Sequence, residues 1–355
     1  MKSIPTLPRN NRCSLGAISL AAILFLTGVL IGSAGCLPSA KQEVVVYVAL
    51  DKPFSEPILK DFEKQTGIRV LPKYDVESNK TVGLANEILA QADHQRCDLF
   101  WNNEILHTLR LKQAGLLASV PTSQADNFPP EFISTDRDWF GFAARARVLI
   151  VNTDLVPDEQ DRPTSVLDLA DPRWKENCGV ARPLFGTTAT HAAVLMQVLG
   201  RERGRSFWHD VAQNARIEGG NKQVAINVAR GRYAFGLTDT DDAIIEIERG
   251  APVVIIFPDQ RPEQMGTLLI PNTLALIRGG PNPENAKRLI EFLLQAEIEQ
   301  RLSAGASAQI PLHREATIRS RIEPAGGIRR LEVDFEQAAD DWDDVARYLK
   351  QTFAR

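Results

Sequence analysis

Residues 43–74 read EVVVYVALDKPFSEPILKDFEKQTGIRVLPKY, and this stretch decides the fold class. The β-branched run at 43–49 predicts a buried strand. Residues 55–66 have the periodicity of a helix that begins at a serine cap, and Gly67 is its expected stop. A second strand is predicted at 68–73. A strand, a helix and a second strand in this order are typical of a parallel sheet covered by helices.

The same alternation continues through the rest of the chain. Further strands are predicted at 98–101, 179–182, 233–237 and 253–257, and helices at 82–92, 188–199, 222–230, 241–249 and 283–302. Single cores seldom grow beyond about 250 to 300 residues, so the roughly 315 residues that follow the first forty indicate two α/β lobes. Two long apolar runs, 139–151 and 266–277, are expected to cross between the lobes, with Pro271 at a bend or an edge.

This organisation predicts a domain layout. Lobe one is expected to comprise residues 42–143 together with 255–312, and lobe two residues 144–254. Residues 313–355 are expected to form a helical segment that packs on the outside of a lobe. A cleft between two such lobes is a favoured place for a ligand.

The first forty residues differ in charge from the rest. They hold three cations and no acid, so removing them takes the formal charge of the chain from -4 to -7. The remaining acidic chain is a poor candidate for nucleic-acid binding, because that function needs a basic face. The basic start, the apolar run at 15–31 and the small residues after it predict a secretory signal at 1–36. A retained membrane anchor is the alternative.

Cysteines extend this prediction. Ser33-Ala34-Gly35-Cys36 resembles a lipoprotein processing site, although Ser33 stands where a branched apolar residue is usual, and this predicts lipidation of Cys36. The chain is therefore expected in the periplasm or at the cell surface, tethered to the membrane through its N-terminus. Cys97 and Cys178 are expected to be two buried, unpaired thiols rather than a bridge.

Candidate binding residues follow the ends of predicted strands, where side chains of several strands meet at one edge of a sheet. Sequence motifs typical of nucleotide-binding or hydrolytic sites are missing. The candidates are Asp51, Lys52, Asn103, Glu104, Thr187, Thr188, Asp239, Asp241 and Asp242, with Arg147 from the long apolar run. For several of them plain helix capping is the alternative, since Thr, Asn and Asp favour that position. His191 is expected to be a packed core histidine.

Several fragments in order resemble the family 1 extracellular solute-binding proteins of ABC importers, in their ferric-iron-binding branch. They include Phe62-Glu63-Lys64-Gln65-Thr66-Gly67, Cys97-Asp98-Leu99-Phe100-Trp101, Asp171-Pro172-Arg173-Trp174, Gly186-Thr187-Thr188 and Ile270-Pro271-Asn272-Thr273. The resemblance implies the two-lobed periplasmic-binding-protein type II fold, with a hinge and a central cleft. It also implies a monomer without catalytic activity or cofactor, which delivers its solute to a membrane permease.

The resemblance implies ferric iron as the solute, held by tyrosines, but the corresponding positions hold other residues. The family's consecutive tyrosine pair falls on Asp241-Asp242, and other tyrosines fall on Lys52 and near Thr188. Lys52 and the helix start at Thr187 suit an anionic group, whereas Asp241 and Asp242 suit a cation. A small phosphorylated or zwitterionic organic solute is therefore the alternative to iron, which would itself be bound as the transported solute.

Two other functions remain open from the sequence. Phe235-Gly236-Leu237-Thr238-Asp239-Thr240-Asp241 has the Asp-x-Asp spacing of some phosphatases, which predicts an exported metal-dependent phosphohydrolase that uses Asp239 and Asp241. A membrane-tethered interaction protein that binds no solute is the third hypothesis.

Overall fold

A computed structural model describes residues 42–74 and 82–354. The predicted signal segment and Cys36 lie outside the described residues. The strands are β1 (Glu43–Val48), β2 (Arg69–Tyr74), β3 (Leu99–Asn102), β4 (Leu117–Ala118), β5 (Phe140–Asn152), β6 (Cys178–Ala181), β7 (Arg216–Glu218), β8 (Phe235–Asp239), β9 (Val253–Ile256) and β10 (Leu269–Ile277). The longer helices are α1 (Lys52–Thr66), α2 (Val82–Ala90), α3 (Leu106–Gln113), α4 (Gly186–Val198), α5 (Arg201–Asn214), α6 (Asn221–Ala229), α7 (Thr240–Glu248), α8 (Pro283–Leu293), α9 (Ala296–Ala304), α10 (Phe335–Asp340) and α11 (Trp342–Thr352).

The strands follow one another in the order β2-β1-β3-β10-β5-β8-β6-β7. β1 pairs in parallel with β2 and β3, and β6 pairs in parallel with β7 and β8. The long strand β5 belongs to both groups. Its first half pairs with β10, and its second half, from Arg147, pairs with β8 and β9. We call the elements around β1–β3 and β10 lobe one, and those around β6–β8 lobe two. The predicted two-lobed α/β fold is therefore present.

The first α/β unit forms largely where the sequence places it. Ile58, Leu59 and Phe62 lie on one face of α1 and are buried, as the helical period requires. The helix ends at Gly67, whose φ of 70° is the left-handed conformation that glycine adopts without strain. Its start differs from the prediction. The helix begins three residues before Ser55, because Pro53 suits the first helical turn.

Strand β5 contains a local irregularity between the two lobes. Its register with β10 shifts between Ile270 and Asn272, at Pro271, which agrees with the predicted bend. Opposite this shift Ala143 has a positive φ of 44°. Two side chains hold its backbone: the carboxylate of Glu299 accepts the Ala143 N–H, and the Asn272 amide donates to the Ala143 carbonyl. A bulge that is fixed in this way gives the shared strand a defined bend.

Two boundaries and one helix differ from the sequence interpretation. The helix predicted at 283–302 is two helices, α8 and α9, which are separated at Leu294 and Gln295. Helix α5 had no counterpart in the prediction. The predicted lobe boundary after residue 254 falls inside β9, because Ile255 and Ile256 pair with β5 beside β8.

The C-terminal segment contacts both lobes rather than the outside of one. Helix α10 packs against α3 of lobe one and against α4 of lobe two, and α11 packs against α4 and α5. Tyr348 donates a hydrogen bond from its hydroxyl to the carbonyl of Arg205 at 2.6 Å, and the rings of Trp208 and Phe353 lie 6.0 Å apart. Residues 335–352 therefore join the two lobes.

The predicted free thiols are confirmed, since Cys97 and Cys178 are both buried and unbridged. His191 is also buried, as expected. Among the described residues, none of the helices is both long enough and apolar enough to span a membrane.

Candidate functional site

A cavity of about 530 Å³ lies where strands of both lobes end. Lobe one contributes Leu50 and Asp51 after β1 and Asn103 after β3, and the shared strand contributes Arg145. Lobe two contributes the segments that follow β6, β7 and β8. This is the place where open α/β sheets bind ligands, because the loops after parallel strands meet there.

Most of the predicted site residues line this cavity. They are Asp51, Asn103, Thr187, Thr188, Asp239, Asp241 and Asp242. The other three predicted residues, Lys52, Glu104 and Arg147, do not line it. Residues that line the cavity and residues that do not are neighbours in the sequence, as Asp51 and Lys52 are. The direction of each side chain separates them, and sequence spacing does not determine that direction.

Lys52 lies on the exposed side of the start of α1. Its ammonium group is 3.5 Å from the carboxylate of Glu56 and 5.7 Å from the centre of the Tyr74 ring. The prediction that Lys52 takes part in solute binding therefore has no support from its position. The helix turns the side chain away from the cavity that its neighbour Asp51 lines.

Arg147 lies beneath Thr187, Thr188 and Asp239, which we call the cavity floor. Its guanidinium group is buried and pairs with Asp239 at 2.7 Å. It also donates hydrogen bonds to the hydroxyls of Thr187 and Thr188, each at 3.1 Å. Arg147 thus fixes the side chains that line the floor, without facing the cavity itself. Burial, followed by the positive charge of Arg147, lowers the pKa of the adjacent His191 well below its ordinary value.

The carboxylate of Asp239 is held at both oxygens by protein groups. One oxygen accepts from Arg147, and the other accepts from the Thr187 hydroxyl at 2.6 Å and from the Asn221 amide at 2.8 Å. A nucleophilic carboxylate needs a lone pair directed at its substrate, and these three bonds occupy three of the roughly four lone-pair positions of the carboxylate. The geometry therefore favours a structural role for Asp239 over the phosphohydrolase hypothesis.

Asp241 and Asp242 present carboxylates at the start of α7. Oxygens of Asp239, Asp241 and Asp242 lie within 4.8 Å of one another, a spacing that can hold a cation. Burial raises the pKa of Asp241, and the nearby carboxylate of Asp239 adds to this, although Arg145 opposes it. Arg145 lies 3.5 Å from Asp241. The acidic cluster is therefore balanced in part by arginines.

Arg145 is a buried cation with donors to spare. Its residue is 4 % exposed, yet its Nε and Nη2 atoms have no hydrogen-bond partner among the described residues. A buried donor that lacks a partner costs about 1–3 kcal/mol, and Arg145 lines the cavity. A ligand in the cavity could accept these hydrogen bonds. Sequence analysis did not select Arg145 as a site residue, although it lies in the long apolar run at 139–151.

Two helix starts and two cations form one side of the cavity. Helices α4 and α6 both begin at the cavity, and their N-cap positions hold Phe185 and Gly220, which have no polar side chain to cap the amides. Arg182 and Lys222 line the same side, and neither forms an ion pair with a described residue. Free amides, the helix dipole and two cations together favour an anion.

Sequence analysis did not select Arg182, Lys222 or Asn221 as site residues. Gly219-Gly220 before a predicted helix was an available signal, because glycines let the backbone approach a ligand closely. All four tyrosines of the chain are described, and none lines the cavity. Tyr47 donates to Glu87 and Tyr233 donates to Glu218, so both hydroxyls are used inside the fold.

The fold and the cleft define a class of protein: a two-lobed α/β protein that binds a small ligand where the strands of both lobes end. The model of the family of bacterial extracellular solute-binding proteins matches residues 43–304. The chain belongs to this family, as the sequence fragments predicted.

Relatives with known names differ in the ligands that those names give. The major ferric iron-binding protein of Neisseria meningitidis is 22% identical, over 88% of this chain and 93% of its own length. The putative 2-aminoethylphosphonate-binding periplasmic protein of Salmonella typhimurium is 27% identical, over 54% of this chain and 57% of its own. The structure of the ferric binding protein from Campylobacter jejuni aligns with a TM-score of 0.79 at 21% identity, covering 87% of this chain and 99% of that chain.

Proposed function

We propose that this protein is the extracytoplasmic solute-binding component of an ABC importer and that its solute is a small zwitterion with a phosphonate or phosphate group. The observation that carries the proposal is the presence of groups of both charges in one cavity. Arg182, Lys222 and two uncapped helix starts line it together with the carboxylates of Asp51, Asp241 and Asp242. The solute would then be passed to a membrane permease, with no chemical step.

The anionic group of the solute would lie against lobe two. The amides at the starts of α4 and α6 point to this side, and Arg182 and Lys222 supply positive charge. Neither cation is engaged by a described carboxylate, so a bound anion would be their ion partner. A phosphonate offers three oxygens to such donors, and charge-assisted hydrogen bonds are the strong ones.

The cationic group of the solute would face the carboxylates of Asp51, Asp241 and Asp242. An ammonium group suits this position because it donates three hydrogen bonds and needs only oxygen acceptors. Arg145, beside Asp241, would donate to the solute from below. The name of the Salmonella relative gives a zwitterionic phosphonate of this kind.

Ferric iron is less well supported as the solute. A trivalent hard ion favours several anionic oxygen ligands, and the carboxylates offered here are shared with Arg145 and Arg147. No tyrosine, of the four that the structure describes, reaches the cavity. The names of several relatives give iron as their ligand, so iron is included in the test.

Export and anchoring belong to the same proposal. The family description places such proteins outside the cell membrane, and the name of the Salmonella relative calls it periplasmic. We propose a periplasmic or cell-surface location, a lipid anchor at Cys36 and a monomeric state. Labelling of expressing cells with a palmitate analogue would detect the anchor, and loss of the label in Cys36→Ala is expected.

Titration calorimetry on the mature domain tests the solute. We expect 2-aminoethylphosphonate to bind at one site per chain. Ethylphosphonate, which has the same anionic end but no ammonium group, should bind at least roughly tenfold more weakly, because it brings no cation to the carboxylates of Asp51, Asp241 and Asp242. Inorganic phosphate should bind more weakly still.

Native mass spectrometry with metal analysis of freshly purified protein is the independent measurement. An organic mass without metal would agree with the proposal. One iron per chain, together with tight binding of ferric citrate and none of 2-aminoethylphosphonate, would overturn it. Equal affinities for 2-aminoethylphosphonate and ethylphosphonate would remove the carboxylate side from the site.

A further inference from the structure

We propose that Glu104 and Thr190 form a latch between the lobes, which stabilises the closed arrangement of the cleft. Glu104 follows β3 in lobe one, and Thr190 lies on α4, which follows β6 in lobe two. The Thr190 hydroxyl donates to the Glu104 carboxylate at 2.8 Å, and both side chains are buried. The inference rests on the proposed solute-binding function, so its test includes a measurement without solute.

The carboxylate of Glu104 is held rigidly by its own lobe. One oxygen accepts from the Asn102 amide at 2.8 Å and from the His107 ring, and the backbone N–H groups of Leu106 and His107 also donate to the carboxylate. Burial alone would raise the pKa of Glu104, but His107 and these hydrogen bonds hold it below its ordinary value. An ionised, immobile acceptor is therefore presented to the other lobe.

The donor on the other lobe belongs to the helix that begins at the cavity. Thr190 lies one turn after Thr187, which lines the cavity, and Asn103, which also lines it, is the neighbour of Glu104. The bond therefore lies directly behind the solute site and links its two walls. Hydrogen bonds to charged groups are worth more than those between neutral groups, and a buried one is not weakened by competing water.

The same network offers a matched control within lobe one. The Thr108 hydroxyl lies 2.7 Å from that of Thr273 and accepts from the Asn102 amide at 3.1 Å. Like Thr190, Thr108 is a buried threonine on a helix. Thr108→Val removes a hydroxyl from the network without touching the contact between the lobes, whereas Thr190→Val removes the contact.

Distances between the lobes test the latch without any solute. Spin labels on Lys60→Cys in α1 and Arg203→Cys in α5 of the mature domain report the separation, since both positions are exposed and Cys97 and Cys178 are buried. We expect Thr190→Val to lengthen or broaden the distance distribution, and Thr190→Ser, which keeps the hydroxyl, to match the unsubstituted protein. Thr108→Val should also match it.

Binding of 2-aminoethylphosphonate is the second measurement. Thr190→Val should weaken it roughly 10- to 100-fold, mainly through faster dissociation, whereas Thr108→Val should change it less than about threefold. Unchanged distances in Thr190→Val, with a loss of thermal stability equal to that of Thr108→Val, would overturn the latch. If the unsubstituted protein does not bind 2-aminoethylphosphonate, the proposed solute fails and the distances alone decide on the latch.

Discussion

The two walls of the cleft differ in what they offer a solute. The wall from lobe two carries uncapped helix starts, Arg182, Lys222 and the carboxylates of α7. Of the described residues of lobe one, Leu50, Asp51 and Asn103 line the cavity. Lobe two can therefore recognise the solute by its charge, and lobe one mainly completes the enclosure. Substitutions of equal chemistry should consequently have unequal effects on the two walls.

The largest expected effect is the loss of stability when Arg147, beneath the cavity floor in lobe two, is replaced. Arg147→Ala would leave Asp239 buried without its ion partner, and breaking a buried pair in this way costs about 3–5 kcal/mol. We expect a loss of this size in the free energy of unfolding, measured by urea denaturation, together with loss of solute binding.

A surface arginine on the same lobe is the control for Arg147. Arg216 pairs with Glu176 at 2.6 Å, but both side chains are more than half exposed. Exposed pairs contribute about 0–1 kcal/mol, so Arg216→Ala should cost no more than that. If both variants lost the same stability, Arg147 would not organise the floor.

The contribution to stability of Glu299, which holds the shared strand β5 at Ala143, should depend on pH. Burial raises the pKa of Glu299 to about 7, against the opposing effect of backbone N–H groups, including those of Ala143 and Leu312. A carboxyl with a raised folded pKa binds its proton more tightly in the folded state, so its contribution to stability falls as pH rises. The fall should run from about pH 4.5 to about 7 and total about 3 kcal/mol.

Glu299→Gln isolates this contribution, because glutamine does not titrate. The difference in unfolding free energy between the unsubstituted protein and the variant should decline across that pH range and be constant above it. Glu297 lies on the same helix and is exposed, so Glu297→Gln is the control for the loss of a carboxylate from that helix. A flat difference for Glu299→Gln would show that the backbone of β5 at Ala143 is held without this titration.

The fold and the residues of the site that directly follow strands could be predicted from the sequence for the same physical reason. Parallel strands end at a common edge, so Asp51, Asn103 and Asp241 could be grouped from their places after predicted strands. What could not be predicted was the direction of each side chain. Lys52 and Glu104 directly follow Asp51 and Asn103, yet neither reaches the cavity, because adjacent backbone positions point in different directions.

The missed residues have a different cause. Arg182 and Lys222 have no distinguishing motif, and Lys222 was simply the first residue of a predicted helix. Their significance comes from the helix starts of α4 and α6, which chain folding brings to one side of the cavity. That convergence follows from the pairing of β6 with β7 and β8, and strand pairing is not encoded in local periodicity.

A comparison of Arg182 with Lys52 gives the smallest expected effects and tests the difference between the walls most directly. Arg182→Ala should weaken binding of 2-aminoethylphosphonate by about 1.5–3 kcal/mol, the contribution of a hydrogen bond to a charged group. Stability without solute should hardly change, because Arg182 has no described ion partner. Lys52→Ala should alter both quantities by less than about 0.5 kcal/mol, as is usual for surface positions. Calorimetry on both variants decides: if Lys52→Ala weakened binding as much as Arg182→Ala, recognition by charge would belong to both lobes.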